Sequence, residues 1–201
     1  MRSIAAMTLA CALSACAGGN FETSVPGAGE WKFGQRADRV ADQPMQSAGL
    51  TTKSRNAKSE RNNPALPHVA SLQLLCFDGE PVVRFYFSHE VGSDRNSRLT
   101  YKFDNKPGMK PNARILQDFQ TVMIEDKKDV AQFVNGLREA KHLDITVTAL
   151  VAGQTIAEFN VEGAAAAIEA SYKACPVATP PAAPAPRSRR TSQLTGGSHF
   201  G

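Results

Sequence analysis

Leu72-Gln73-Leu74-Leu75-Cys76-Phe77-Asp78-Gly79-Glu80-Pro81-Val82-Val83-Arg84-Phe85-Tyr86-Phe87 reads as two strands joined by a two-residue turn. Asp-Gly suits a type I′ turn, whose two central residues both need positive φ. That turn pairs Phe77 with Glu80, Cys76 with Pro81, Leu74 with Val83 and Leu72 with Phe85. Side chains alternate across a strand, so Leu72, Leu74, Cys76, Val83, Phe85 and Phe87 share one face and form a core-like set. Gln73, Arg84 and Tyr86 fall on the other face, toward solvent. Arg84 and Tyr86 are the candidate binding surface, because an exposed aromatic beside an arginine suits an interface anchor.

Outward from this hairpin, residues 98–103 alternate as a third strand that ends at Asp104-Asn105-Lys106-Pro107-Gly108. Residues 119–125 are β-branched and apolar, as strands are. Asp126 or Asp129 can then cap a helix running to about His142, with Val130, Phe133, Val134 and Leu137 on one stripe. Leu143, Ile145, Val147 and Ala149 alternate with polar residues, and Ala152-Gly153 turns the chain into a second hairpin arm, 155–161. Gly163 opens a final alanine-rich helix in which Ile168, Tyr172 and Cys175 face one way. The expected fold is α+β: a β-rich antiparallel sheet or two-layer sandwich with two helices and one disulfide.

The ends of the chain differ in character. Met1-Arg2 is a short basic start, residues 4–13 are apolar but too few to span a bilayer, and Leu13-Ser14-Ala15-Cys16 matches a lipobox. Residues 1–15 are therefore expected to be a lipoprotein signal peptide, with Cys16 acylated after cleavage. The alternative is an ordinary secretory signal cut after Ala15 or Ala17. Residues 16–67 are polar and read as a flexible tether, 68–175 as the globular domain, and 176–201 as a Pro/Ala-rich, basic, disordered tail. Ala17 in place of Asp after the anchor points to the outer membrane, facing the periplasm, under the sorting habit of enteric bacteria.

Of four cysteines, Cys11 leaves with the signal and Cys16 is the lipid site. Cys76 and Cys175 remain, an even pair in an oxidising compartment and both core-directed, so a disulfide is expected; two buried thiols are the alternative. Neither cysteine has the spacing of a zinc or redox motif. Net charge is +4, yet removing Arg2, Arg187, Arg189 and Arg190 leaves 19 basic against 19 acidic residues. The basicity belongs to the tail, and no nucleic-acid surface is expected.

Catalytic motifs are missing. His89-Glu90 starts like HExxH, but Ser93 stands where the second histidine belongs. Ser88, His89 and Glu90 are consecutive, and a strand would splay them to opposite faces. The four histidines fall in expected loops or element ends and read as solvated residues. Polar loops, including Asp94 and Arg95, read as ordinary surface. No catalytic residue, metal site or cofactor is expected.

Several landmarks follow in order: Trp31 before a polar stretch, Cys76 ending a strand, Tyr101-Lys102-Phe103-Asp104, Phe133-Val134-Asn135-Gly136-Leu137, the strand from Leu143, Phe159-Asn160-Val161-Glu162-Gly163, and a closing helix with Cys175. Across residues 31–175 this order resembles the VasI-like family of envelope proteins associated with type VI secretion clusters. Phe119-Gln120-Thr121 stands where that family has a Trp-x-Ser-like segment. The resemblance implies a non-enzymatic accessory envelope domain with a β-rich fold and a structural disulfide. The sequence thus leads to a membrane-anchored envelope lipoprotein acting as an accessory or binding module, with a protein partner in the envelope and a role supporting a secretion or surface assembly. A periplasmic ligand-binding or inhibitor domain is the alternative.

Overall fold

A computed structural model of the chain describes residues 27–37, 44–93 and 96–178. Cys16, the expected signal segment 1–15, Asp94, Arg95 and residues 179–201 lie outside the described residues.

The elements in chain order are β1 (Lys32–Ala37), β2 (Pro44–Arg55), α1 (Ala57–Asn62), β3 (Val69–Phe77), β4 (Glu80–Phe87), β5 (Ser97–Phe103), β6 (Ala113–Ile115), β7 (Thr121–Ile124), α2 (Lys127–Arg138), β8 (His142–Ala149), β9 (Gly153–Asn160) and α3 (Ala164–Ser171). Every strand pairing is antiparallel, in the order β5-β8-β9-β2-β3-β4-β7-β6, with β1 added on β2. The β-rich α+β fold is as expected, and of its two anticipated forms the single sheet is the one adopted. The two anticipated helices are α2 and α3, and α1 is an addition.

The β3–β4 hairpin has the register that Asp-Gly dictates, from Phe77↔Glu80 to Ala70↔Phe87. Asp78 and Gly79 take φ of 49° and 76°, as a type I′ turn requires. Helix α2 starts one residue after Asp126, whose carboxylate accepts from the amides of Lys128 and Asp129. Its buried stripe is Val130, Phe133, Val134 and Leu137.

The sheet curls until its ends meet around Phe133. That ring packs edge-on against Phe85 of β4 at 5.9 Å and Tyr101 of β5 at 4.9 Å, with Phe103 tilted at 5.2 Å. Strands distant in sheet order therefore share one core. A reciprocal backbone pair between Tyr101 and Met109, 3.0 and 2.7 Å, links β5 to the chain leading into β6 and nearly closes a barrel. Edge-on aromatic contacts add about 0.5–1.5 kcal/mol each beyond the area they bury.

Cys76 and Cys175 form the disulfide, with Cα atoms 6.0 Å apart and 99 residues between them in sequence. Beside it the hydroxyl of Tyr172 donates to the carbonyl of Val82 at 2.8 Å. These two links fasten the end of α3 to the β3–β4 hairpin.

One expectation is corrected. Within 16–67, read as a tether, residues 16–26 and 38–43 lie outside the described residues, but the rest contributes β1, β2 and α1. Trp31 is 2% exposed and its indole NH reaches the carbonyl of Val161 at 3.5 Å. The physical reason lies in β2, where the buried positions other than Leu50 are small: Ala48, Gly49 and Ser54. Alanine-rich α3 packs on β2, so a close approach needs little side-chain volume and the strand carries a weak hydrophobic signal. One edge of β2 pairs with β3. The other is divided, with β1 along 44–49 and β9 at Ser54 and Arg55.

Candidate functional site

At the open end of the β3–β4 hairpin, opposite the Asp78-Gly79 turn, lies a cleft of about 580 Å³. Its walls are α1 and the 63–68 connection, the 88–93 segment leaving β4, the Phe119-Gln120 turn, and the tip of the β8–β9 hairpin at Val151 and Ala152.

Asn56 assembles the floor. It is the N-cap of α1: its side-chain oxygen accepts from the amides of Lys58 (3.1 Å) and Ser59 (2.9 Å). Its own amide donates to Glu60 Oε1 at 3.0 Å. The side-chain NH₂ donates to Thr155 Oγ1 at 2.7 Å and to the carbonyl of Ala152 at 3.1 Å. One residue, 2% exposed, thus ties α1 to the β8–β9 hairpin and satisfies its own buried polar groups. Lys58 Nζ adds a bond to the carbonyl of Val151 at 2.8 Å.

Two histidines meet on this floor. The Nδ1 atoms of His68 and His89 are 3.4 Å apart, with ring centroids at 5.1 Å and planes at 72°. Ser59 Oγ lies 3.5 Å from His68 Nδ1, and Thr155 Oγ1 lies 3.3 Å from His89 Nε2. His68 Nε2 is buried with no partner. Burial holds the His89 pKa below the ordinary imidazole value of 6.5, and His68 pulls the same way; the Glu60 carboxylate opposes them. A neutral imidazole at physiological pH follows for His89.

The rim contrasts with this polar floor. Leu66, Phe119 and Val151 are exposed large apolar side chains on the lip, and Leu150 beside them is 82% exposed. Phe119 is held there in a left-handed conformation, φ 56°. The Asp118 carboxylate imposes this turn by accepting from the amides of Gln120 (3.0 Å) and Thr121 (2.9 Å) and from the Thr121 hydroxyl (2.6 Å). Backbone bonds from Phe87 to Gln120 and from Val91 to Phe119 fasten the turn to the cleft wall.

The sequence reading placed the histidines in solvated positions and missed this pairing. His89 is buried at 8% exposure. A signal was present in the hairpin register, which pairs residues whose numbers sum to 157. Continued past the last pair, that register sets His68 opposite His89.

Arg84 and Tyr86 do lie on the outer face of β4. Arg84 is half-buried and its guanidinium bonds to Gln73 Oε1 across the hairpin. Tyr86 is 41% exposed. They are on the sheet face and take no part in the cleft lining. Among the described residues, no group of three or more His, Cys, Asp or Glu is gathered as a metal cage, and no helix is long and apolar enough to cross a membrane. No family model matches the chain, and neither the curated proteins nor the solved structures contain a match to it.

Proposed function

We propose that the protein is a lipid-anchored binding module of the bacterial cell envelope, held at Cys16 to the outer membrane facing the periplasm, and that its end cleft receives a segment of an envelope protein partner. The resemblance of residues 31–175 to the VasI-like envelope family and the lipobox at Cys16 support the location and the accessory, non-enzymatic role. A place beside a secretion or surface assembly belongs to the same reading.

The observation that carries the binding function is the distribution of polarity in the cleft. A small-molecule pocket normally buries its ligand against apolar walls. Here the apolar groups stand on the lip, on Leu66, Phe119 and Val151, with Leu150 next to Val151, and the floor is polar. A protein segment laid across the opening covers all four, and exposed apolar patches of this kind mark interaction sites. Arg84 and Tyr86 then belong to a flank of the partner surface.

The test uses a photo-crosslinking amino acid at Val151 in the full-length protein in cells, with Glu158 on the outer face of β9 as control. The expected result is one discrete adduct with an envelope protein from position 151 alone, lost when Leu150 is changed to Asp. An adduct of twice the chain's own mass, or equal labelling from position 158, overturns it. Membrane release of a Cys16→Ala variant, with loss of acyl mass, checks the anchor.

A further inference from the structure

We propose that His68 and His89 form a proton-operated latch on the cleft floor, closed while one Nδ1–H···Nδ1 bond joins the rings. It opens when both rings are protonated, so that the cleft releases its partner segment in acid. This rests on the partner reading above and gives the same site a control.

The geometry of the pair carries the argument. The rings meet through like atoms, Nδ1 to Nδ1 at 3.4 Å. A bond between them needs one N–H and one lone pair. Two neutral rings supply these, and so does a pair that has taken one extra proton. With a second extra proton, both Nδ1 atoms carry hydrogen and neither has a lone pair. Two positive rings then face each other with centroids 5.1 Å apart.

The backbone on both sides is fastened, so the repulsion is not relieved by spreading the chain. The Ser54 amide donates to the His68 carbonyl at 2.9 Å. The hydroxyl and amide of Ser88 donate to the carbonyls of Pro67 (3.1 Å) and Val69 (2.9 Å). Ring rotation remains, and the two rings are unequal. His89 is buried, with the Phe87 ring edge-on at 6.0 Å and Nε2 3.3 Å from Thr155 Oγ1. His68 is half-buried, lines the cleft, and has its Nε2 buried without a partner. Swinging His68 into the cleft separates the charges and gives that nitrogen water. The same swing breaks the 3.5 Å contact between Ser59 Oγ and His68 Nδ1, one of the ties of α1 to the floor.

The surroundings offer little to neutralise a second charge. Among the described residues, α1 brings Lys58 and Glu60, the 88–93 segment Glu90, β2 Lys53 and Arg55, and the turn before β7 Asp118. Lys58 bonds to the Val151 carbonyl, Glu60 accepts from the Asn56 amide, Arg55 pairs with Glu158, and Asp118 holds its own turn. Residues 63–67 and 150–156 carry no charge. Burial and His68 oppose protonation of His89, and Glu60 favours it less strongly. The second proton therefore arrives below the ordinary imidazole value, in mildly acid medium. A folded-state histidine pKa lowered in this way leaves the closed form fully stable above about pH 6.5, and that stability is lost as pH falls through the folded value.

The experiment follows the histidine ring nitrogens by NMR in full-length Cys16→Ala protein from about pH 8 to about pH 4.5. The Val151 crosslink is repeated in cells held in buffers across the same range. Two linked steps are expected for the pair. A nitrogen–nitrogen coupling across the Nδ1 contact should survive the first step and vanish at the second, where the crosslink should fall several-fold. In His68→Gln, His89 should titrate higher, because the cation that opposed its protonation is gone, and the crosslink should change less than about twofold with pH. Glu60→Gln should move the second step to lower pH, and His142→Ala should leave both steps in place. Thermal melts at neutral pH check that each variant is folded. Independent titration of the two rings, a coupling absent at neutral pH or persisting in acid, or an equal acid loss of crosslinking in His68→Gln overturns the proposal. Absence of any crosslink at neutral pH, with the coupling and its acid loss observed, would leave the latch standing and remove the partner reading.

Discussion

Breaking the Cys76–Cys175 bridge offers a quantitative test of how this fold is held. The bridge encloses 99 residues of sequence separation, which includes β4 through α3. In the chain-entropy description, closing a loop of about 100 residues restricts the unfolded chain enough to stabilise the native state by about 4.7 kcal/mol. That is a large share of the ~5–15 kcal/mol by which most domains are stable. With a urea slope of about 2 kcal/mol per molar, the midpoint should fall by roughly 2 M. The assay is equilibrium urea unfolding of three samples: oxidised protein, protein held in reductant, and the Cys76→Ala/Cys175→Ala double variant. Tyr172 still donates to Val82 and the core is intact, so the reduced protein should fold and lose its stability chiefly through the freed unfolded chain. The Ala pair should fall slightly further, because it also removes two buried sulfurs. A midpoint for reduced protein within about 0.5 M of the oxidised one, at an unchanged slope, would show that this reasoning is wrong.

Three further outcomes are expected. Gly136→Ala, which in an exposed helix interior would stabilise by up to about 1 kcal/mol, should destabilise by about 1–2 kcal/mol in thermal or urea unfolding, because the added methyl falls 2.6 Å from the buried Phe103 ring. Val151→Ser should change stability by less than about 0.5 kcal/mol, since the side chain is 71% exposed, yet reduce partner crosslinking several-fold when the probe is moved to Leu66. For Asp118, burial raises the carboxyl pKa, but bonds from the Thr121 hydroxyl and from the amides of Gln120 and Thr121 outweigh it and leave the pKa below the ordinary 3.8. A depressed folded pKa stabilises above the unfolded value and is lost as pH falls through the folded one. The melting-temperature gap between wild type and Asp118→Asn should therefore be constant above about pH 5 and close as pH drops below about 4; a gap that widens in acid would refute the assignment.

The sequence exposed most clearly the elements whose signals are local. The Asp78-Gly79 turn demands positive φ, Asp126 caps α2, and the alternation from Leu143 to Ala149 needs one buried face; each element formed where those residues put it. The Cys76–Cys175 pairing was legible because both positions fell on core-facing stripes. β2 was not legible, since Ala48, Gly49 and Ser54 look like loop residues until α3 lies against them. α1 is six residues with no buried member, and only the Asn56 cap with Glu60 reaching back announces it. β6 has three residues, too short for any periodicity. The cleft was hidden for a related reason. Its parts come from α1, two hairpins and a turn, so no short motif contains it, although the His68–His89 half follows from one register.

That register makes the two-residue turn a ruler. His68 lies nine positions from Phe77, about 30 Å along an extended strand, yet its partner is chosen by the number of residues at the hairpin tip. Inserting a single residue between Asp78 and Gly79 would slide one arm by one position, turn every later side chain of that arm to the opposite face, and part the two imidazoles without touching either. Surface turns usually tolerate changes in length, and this one sets the calibration of a distant chemical feature. Any chain built on this hairpin must keep that spacing if it is to keep the histidine pair, whatever else it changes at the tip.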